Sequence, residues 1–278
     1  MPEDIAVTKF REYLRVNTEQ PTPDYYGCQK FLYALADELG IARTSHEMVA
    51  GKPIVIMTIP GTDPSLPSLM LYSHTDVVPT SKDHWTYDPY SAHKDEQGRI
   101  YARGAQDMKC VGSQYFEAIR RHFGRGKKQF RRTVHLVWGP DEEIGGHDGM
   151  EKFVETEEFK KLNLGFTLDE GLASENGVYK VYYGERAPWW MEVTFTGNPG
   201  HGSKFIENTA VEKLVRLSFM VQSWEYCSRS STYTETQFTL PNESRISYSL
   251  QGGVQTNVIP EKIVANVDCR ITPTDNFE

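Results

Sequence analysis

Four short clusters carry the residue types a metal-dependent hydrolase needs. They are Ser73-His74-Thr75-Asp76, Gln106-Asp107-Met108, Asp141-Glu142-Glu143 and Leu168-Asp169-Glu170. Two divalent ions about 3.5–4 Å apart need a bridging carboxylate, terminal His or carboxylate ligands, and a nearby base to activate water. Asp107 suits the bridge. His74 and Asp169 would complete the shell of one ion and Glu143 would serve the other. Glu142 would be the general base, moving a proton from water to the leaving group. Asp76, two residues past His74, is placed to accept the ring N–H of that histidine. Taken singly, each has a plainer reading: a structural histidine, a helix cap at Asp107, a solvated acidic turn at 141–143. Their joint placement argues for a site.

That placement follows from the elements. Apolar residues at Val7, Phe10 and Leu14, then at Cys28, Phe31, Leu32, Leu35 and Leu39 before Gly40, give two opening helices. Ile54–Ile59 and Ser68–Tyr72 read as strands, Met108–His122 as a third helix, and Thr133–Trp138 as a strand covered on both faces. Gly149–Leu162 reads as helical and Phe166–Leu168 as a further strand. Alternating strands and helices imply an α/β domain with an open, mainly parallel sheet, whose ligands bind beyond the carboxyl ends of the strands. His74, Asp141–Glu143 and Asp169 fall at such ends.

After Gly184 the texture changes. Met191, Val193 and Phe195 alternate as in a half-buried strand, and Thr209-Ala210-Val211-Glu212 is a capping box opening an amphipathic helix. Strands at Ile246–Gln251 and Ile263–Ile271 complete a βαββ pattern, and Pro273–Glu278 reads as the start of another helix. The expected organisation is residues 1–184 as the N-terminal part of a catalytic domain and 185–278 as an incomplete α+β lid or dimerisation domain.

Composition excludes several classes. The 278 residues carry a formal charge of −8, which disfavours nucleic acid and anionic membrane as partners. The one basic stretch, Arg120–Arg132, reads as a helix end and a solvated loop. Cys28, Cys110, Cys227 and Cys269 are scattered, so reduced thiols and a cytoplasmic protein are expected. No secretory signal or long apolar run is seen, and the Asn242-Glu243-Ser244 sequon carries no weight without one.

The wording of the clusters resembles a known family. Ser73–Pro79, Tyr101–Lys109, Pro140–Gly146 and Leu168–Gly171 are similar to the aminoacylase branch of the dinuclear-zinc aminoacylase/carboxypeptidase family, as are Glu185–Trp190, Gly197–His201 and Gly252–Pro260. The resemblance implies hydrolysis of N-acyl-L-amino acids by hydroxide on zinc, with two Zn2+ ions per site, in a homodimer. It makes His74, Asp107, Glu143 and Asp169 ligands, Glu142 the base and Asp76 a support. His201 would reach the partner subunit's site and stabilise the oxyanion, while Asn257 and Arg270 would hold substrate. On residues alone, Arg270 alternates with Asp268 on the polar face of its strand and equally fits a cross-strand ion pair. The family's last ligand is a histidine from a returning segment, and no histidine follows His201. The chain is thus expected to be C-terminally truncated, with a non-catalytic zinc-binding or dimerising remnant, or a related dipeptidase or deacetylase, as alternatives.

Overall fold

The computed structural model describes residues 3–171, 173–174, 176–178, 180–182, 184–219 and 245–271, with only the backbone for 245–248. Cys227, the sequon at Asn242 and the helix start expected at Pro273–Glu278 lie outside the described residues. Two compact units divide at Gly177/Val178.

In the first unit, α1 (Ile5–Leu14) and α2 (Tyr25–Leu39) precede the hairpin β1 (Ala42–Glu47) and β2 (Pro53–Ile59). β3 (Ser68–His74), a small hairpin of β4 (His93–Lys94) and β5 (Ile100–Tyr101), α3 (Lys109–Gly124) and β6 (Val134–Gly139) follow. α4 (Met150–Phe153), α5 (Glu157–Lys161) and β7 (Leu164–Leu168) complete it. Gly40 ends α2 in the left-handed region at φ 64°, its N–H returning to Ala36 and Asp37 carbonyls, the cap the sequence pattern predicts. The segment 149–162 is two short helices rather than one. Thr156 divides them, its hydroxyl donating to the Phe153 carbonyl and accepting from the Phe159 N–H.

The sheet order is β1-β2-β6-β3-β7. β6, β3 and β7 are parallel neighbours, and β2 alone runs against the rest. Both faces are covered. Leu71, Leu136 and Trp138 pack with Leu32, Phe116 and Ile119 of α2 and α3, while Met70, Tyr72 and Val137 pack with Phe153 and Leu162. Two-sided burial is why β2, β3 and β6 read as nearly unbroken apolar runs. Truncating one of these core side chains to Ala would cost roughly 2–5 kcal/mol.

α3 lies close on β3 and β6 because of Gly112. A Cβ there would sit 2.8 Å from Ser73 Oγ and Trp138 Nε1, so a side chain would lift the helix and the Asp107 loop leading into it. Lys109, the first residue of α3, is fully buried. Its ammonium donates to the Val16 carbonyl at 2.7 Å, just past the end of α1, where helix carbonyls lack partners. Burial pulls its pKa down to about 8.

The second unit is an antiparallel sheet ordered β10-β12-β8, from β8 (Ala187–Thr196), β10 (Arg245–Gly252) and β12 (Lys262–Ile271). β9 (Gly200–His201) pairs with β11 (Val258–Ile259). A helix, α6, is described over 210–219. Its capping box forms as expected, Thr209 N–H to Glu212 Oε2 at 3.0 Å and Glu212 N–H to Thr209 Oγ1 at 3.2 Å. Ala210, Leu214 and Leu217 cover one face of the sheet, meeting Phe195, Ile263, Ala265 and Val267. Among the described residues no helix is long and apolar enough to cross a membrane.

Candidate metal centre

Three adjacent parallel strands deliver the acidic clusters to one edge of the first unit. β3 ends on His74, Glu142 and Glu143 follow β6, and Asp169 and Glu170 follow β7. Asp107 comes from the loop ahead of α3. Side chains arriving from several strand ends are held by the whole sheet rather than by one loop.

His74 is fully buried. Its Nδ1 lies 2.8 Å from the Asp76 carbonyl oxygen, which can only accept, so Nδ1 carries a proton. Nε2 is thereby turned to the cluster, 3.0 Å from Asp107 Oδ1 and 3.8 Å from both Glu142 Oε2 and Glu170 Oε1. Asp76 thus takes the ring N–H through its carbonyl, its carboxylate standing at 3.6 Å. That carboxylate is itself buried. Oδ1 accepts from the Glu142 N–H at 3.0 Å, and Oδ2 from the Glu143 N–H at 3.2 Å and Gln20 Nε2 at 2.8 Å.

Among the described residues, the ligand atoms that lie within 4.8 Å of one another belong to His74, Asp107 and Glu170. Glu170 therefore stands where the sequence suggested Asp169. Hydrogen bonds at Asp169 give the reason. Asp169 Oδ1 accepts the N–H of Glu170, and its carbonyl accepts the hydroxyl of Tyr115 on α3, while Glu170 extends to His74.

Too many carboxylates share this space. Burial lowers the His74 pKa, but hydrogen bonds to Asp107 and Asp76 outweigh it and raise it to about 11. The same bond to His74 holds Asp107 below its ordinary value. Burial and the Asp107 charge push Glu170 up to about 8 and Glu143 up to about 7. Glu142 is raised by burial and by its acidic neighbours, with His74 opposing. Asp107 and Glu170 lie within 4.8 Å of each other, and at an effective dielectric of about 20 two ionised carboxylates so placed repel by roughly 3 kcal/mol, less where Asp107 stays wet. One imidazolium cannot neutralise the group, and protons otherwise do so. One imidazole nitrogen and two carboxylates with surplus negative charge suit a divalent cation such as zinc.

Two residues from distant sequence complete the surroundings, and neither is marked by any motif. Gln20 Nε2 also reaches Asp141 Oδ1 at 3.2 Å, and the Tyr25 hydroxyl donates to the same oxygen at 2.6 Å. Asp141 is buried with φ 64°, and Lys52 Nζ faces its Oδ2.

The remaining expected residues lie in the second unit. His201 ends β9 and Asn257 immediately precedes β11, both exposed, the Gly202 N–H donating to the Asn257 carbonyl at 2.8 Å. Ser203 engages His201 Nδ1 through both its hydroxyl and its N–H. Arg270 is exposed on β12, its Nε donating to Asp268 Oδ2 at 2.9 Å, an ion pair along its own strand rather than the cross-strand pair the sequence left open.

Comparison with known proteins adds three findings. The model of peptidase family M20/M25/M40 matches residues 70–264. Aminoacylase-1 of Homo sapiens is 46% identical over 281 residues, covering 99% of this chain and 68% of that protein. Aminoacylase-1 of Mus musculus is 48% identical over 276 residues, covering 98% and 66%. The chain thus spans about two thirds of the length of these relatives. Among solved structures, the M20 family metallo-carboxypeptidase Sso-CP2 from Sulfolobus solfataricus matches with a TM-score of 0.71 at 18% identity, covering 99% of this chain and 72% of that one. At that identity the likeness is one of fold.

Proposed function

Since this chain belongs to peptidase family M20/M25/M40, we propose that it is a metal-dependent amidohydrolase that cleaves N-acyl-L-amino acids to a carboxylate and a free L-amino acid. The observation that carries this reading is the convergence of His74, Asp107 and Glu170 from two strand ends and the loop ahead of α3, in a chain 46% identical to an aminoacylase. The same likeness favours an enzyme over a non-catalytic remnant.

His74, Asp107 and Glu170 would hold one zinc ion, and Asp107 with Glu143 would serve a second. A divalent ion so held polarises the scissile carbonyl and lowers the pKa of water beside it. The chain's own residues do the rest. Glu142, 3.8 Å from His74 Nε2 and with its pKa raised, takes a proton from the attacking water and returns it to the departing nitrogen. Asp76 fixes the tautomer of His74 through its carbonyl and the turn carrying Glu142 through its carboxylate. His201, exposed and oriented by Ser203, donates to the oxyanion in the site of a second copy in a homodimer. Asn257 and Arg270 receive the substrate, Arg270 pairing its guanidinium with the free carboxylate in exchange for Asp268. The scattered cysteines support a cytoplasmic protein, where thiols stay reduced.

Release of methionine from N-acetyl-L-methionine by the zinc-loaded protein tests the reading. Turnover is expected, and Glu142→Ala should lower kcat by about 10²–10⁴-fold. No release, or a preference for unblocked dipeptides, overturns the substrate class, and a Glu142→Ala variant at full rate overturns the base.

A further inference from the structure

The Asp-Glu-Glu turn contains one acid that faces away from the reaction. Asp141 takes the left-handed backbone region, φ 64°, which few non-glycine residues hold, Asp more readily than most. That conformation sends the Asp141 side chain into the body of the unit, where it is buried, and the next two acids outward. One hydroxyl meets both the carboxylate and the backbone N–H of Asp141. Tyr25, the first residue of α2, donates to Asp141 Oδ1 at 2.6 Å and accepts from the Asp141 N–H at 2.9 Å. Lys52 balances the other carboxylate oxygen, and Gln20 ties Oδ1 to Asp76. Asp76 grips the following residues through the Glu142 and Glu143 N–H groups. The turn is thus held at its start by Tyr25 and along its length by Asp76. Asp76 also touches His74, whereas the hydrogen bonds of the Tyr25 hydroxyl among the described residues go to Asp141 and Gln20.

We propose that Tyr25 is a positioning residue for Glu142, its hydroxyl latching the Asp141 hinge so that the Glu142 carboxylate stays aimed at the reacting water. The proposal rests on the reading of Glu142 as general base. Without the hydroxyl, the Asp141 N–H and Oδ1 lose their shared partner, the left-handed hinge is free to relax, and Glu142 shifts while the ligands His74, Asp107 and Glu170 stay in place.

A double-mutant cycle tests this with the zinc-loaded protein and N-acetyl-L-methionine. Tyr25→Phe should lower kcat by about ten- to a hundredfold, as expected for a misplaced reacting group, with KM and zinc content unchanged. In a Glu142→Ala background the same substitution should have no further effect, because the group it positions is gone. Should Tyr25→Phe melt below the assay temperature, Asp141→Gly is read in the same way. Glycine accepts the positive φ and offers no carboxylate to the latch. An unchanged kcat in the single variant overturns the proposal, as does an equal loss in both backgrounds, which marks a general packing role. Full activity in Glu142→Ala alone removes the base itself and is seen before Tyr25 is altered.

Discussion

His74 and His201 both stand at the end of a strand, and their surroundings could hardly differ more. His74 is fully buried at the close of a seven-residue central strand, with Nδ1 committed to Asp76 and Nε2 facing carboxylates. His201 is exposed on a two-residue strand, and its described partner is Ser203, two residues on. The first histidine is preorganised by the fold of its own unit. The second is available for recruitment. Ligands need the former condition because a metal site tolerates little positional error, while a donor to transient charge is able to arrive with the substrate.

The largest effect should come from the preorganised side. His74→Ala is expected to remove zinc retention and turnover together, with a loss of at least about 10³-fold, since the metal supplies several kcal/mol of charge stabilisation. Metal analysis of the dialysed variant checks this, and full retention would deny His74 its place. His201→Ala should lower kcat by about 10²–10³-fold, the cost of one oxyanion donor. Zinc content and melting temperature should not move. If zinc content falls as well, the contrast between the two histidines collapses.

The smallest effect concerns stability of the metal-free protein. Glu143 and Glu170 have folded pKa values of about 7 and 8, above the ordinary 4.5. Groups raised in this way bind protons more tightly when folded, so their contribution is complete below about pH 4.5 and is lost as pH rises through 7 to 8. His74, raised to about 11, adds a loss of the same sign above its ordinary 6.5. Asp76 and Asp107, held below 3.8, are ionised throughout and add no slope. The melting temperature of stripped protein should therefore fall by about 2–4 °C between about pH 5 and 8. Zinc added at pH 8 should reverse the fall, with proton release measurable by calorimetry in buffers of different ionisation enthalpy. A flat profile would mean the carboxylates are better solvated than their positions imply.

Much of this was legible in residue order. The strands β2, β3 and β6 announced themselves because burial on both faces leaves no polar alternation, and His74 and Glu142–Glu143 could be assigned to strand ends from that alone. The sequence pattern points to Asp169, whereas Glu170 is the residue beside His74 and Asp107. Adjacent residues leaving a strand point to opposite sides, and the choice depends on contacts with Tyr115 on a helix more than fifty positions away. Tyr25 and Gln20 were invisible for a related reason. A tyrosine opening a helix and a glutamine in a loop are ordinary locally, and only the tertiary approach to Asp141 gives them a task. The break at Thr156 was readable in principle, as Ser/Thr ahead of two acids is a helix-start signal within the longer apolar pattern.

The strand order carries a consequence for how the protein is made. β6 lies between β2 and β3 but follows both in the chain. During synthesis the two earlier strands must wait, apolar and without the partner they share, until residue 139 has left the ribosome. Such long-range pairing slows folding and leaves nascent edges open to other chains. The arrival of one late strand closes both gaps at once, and the turn bearing Glu142 comes immediately behind it.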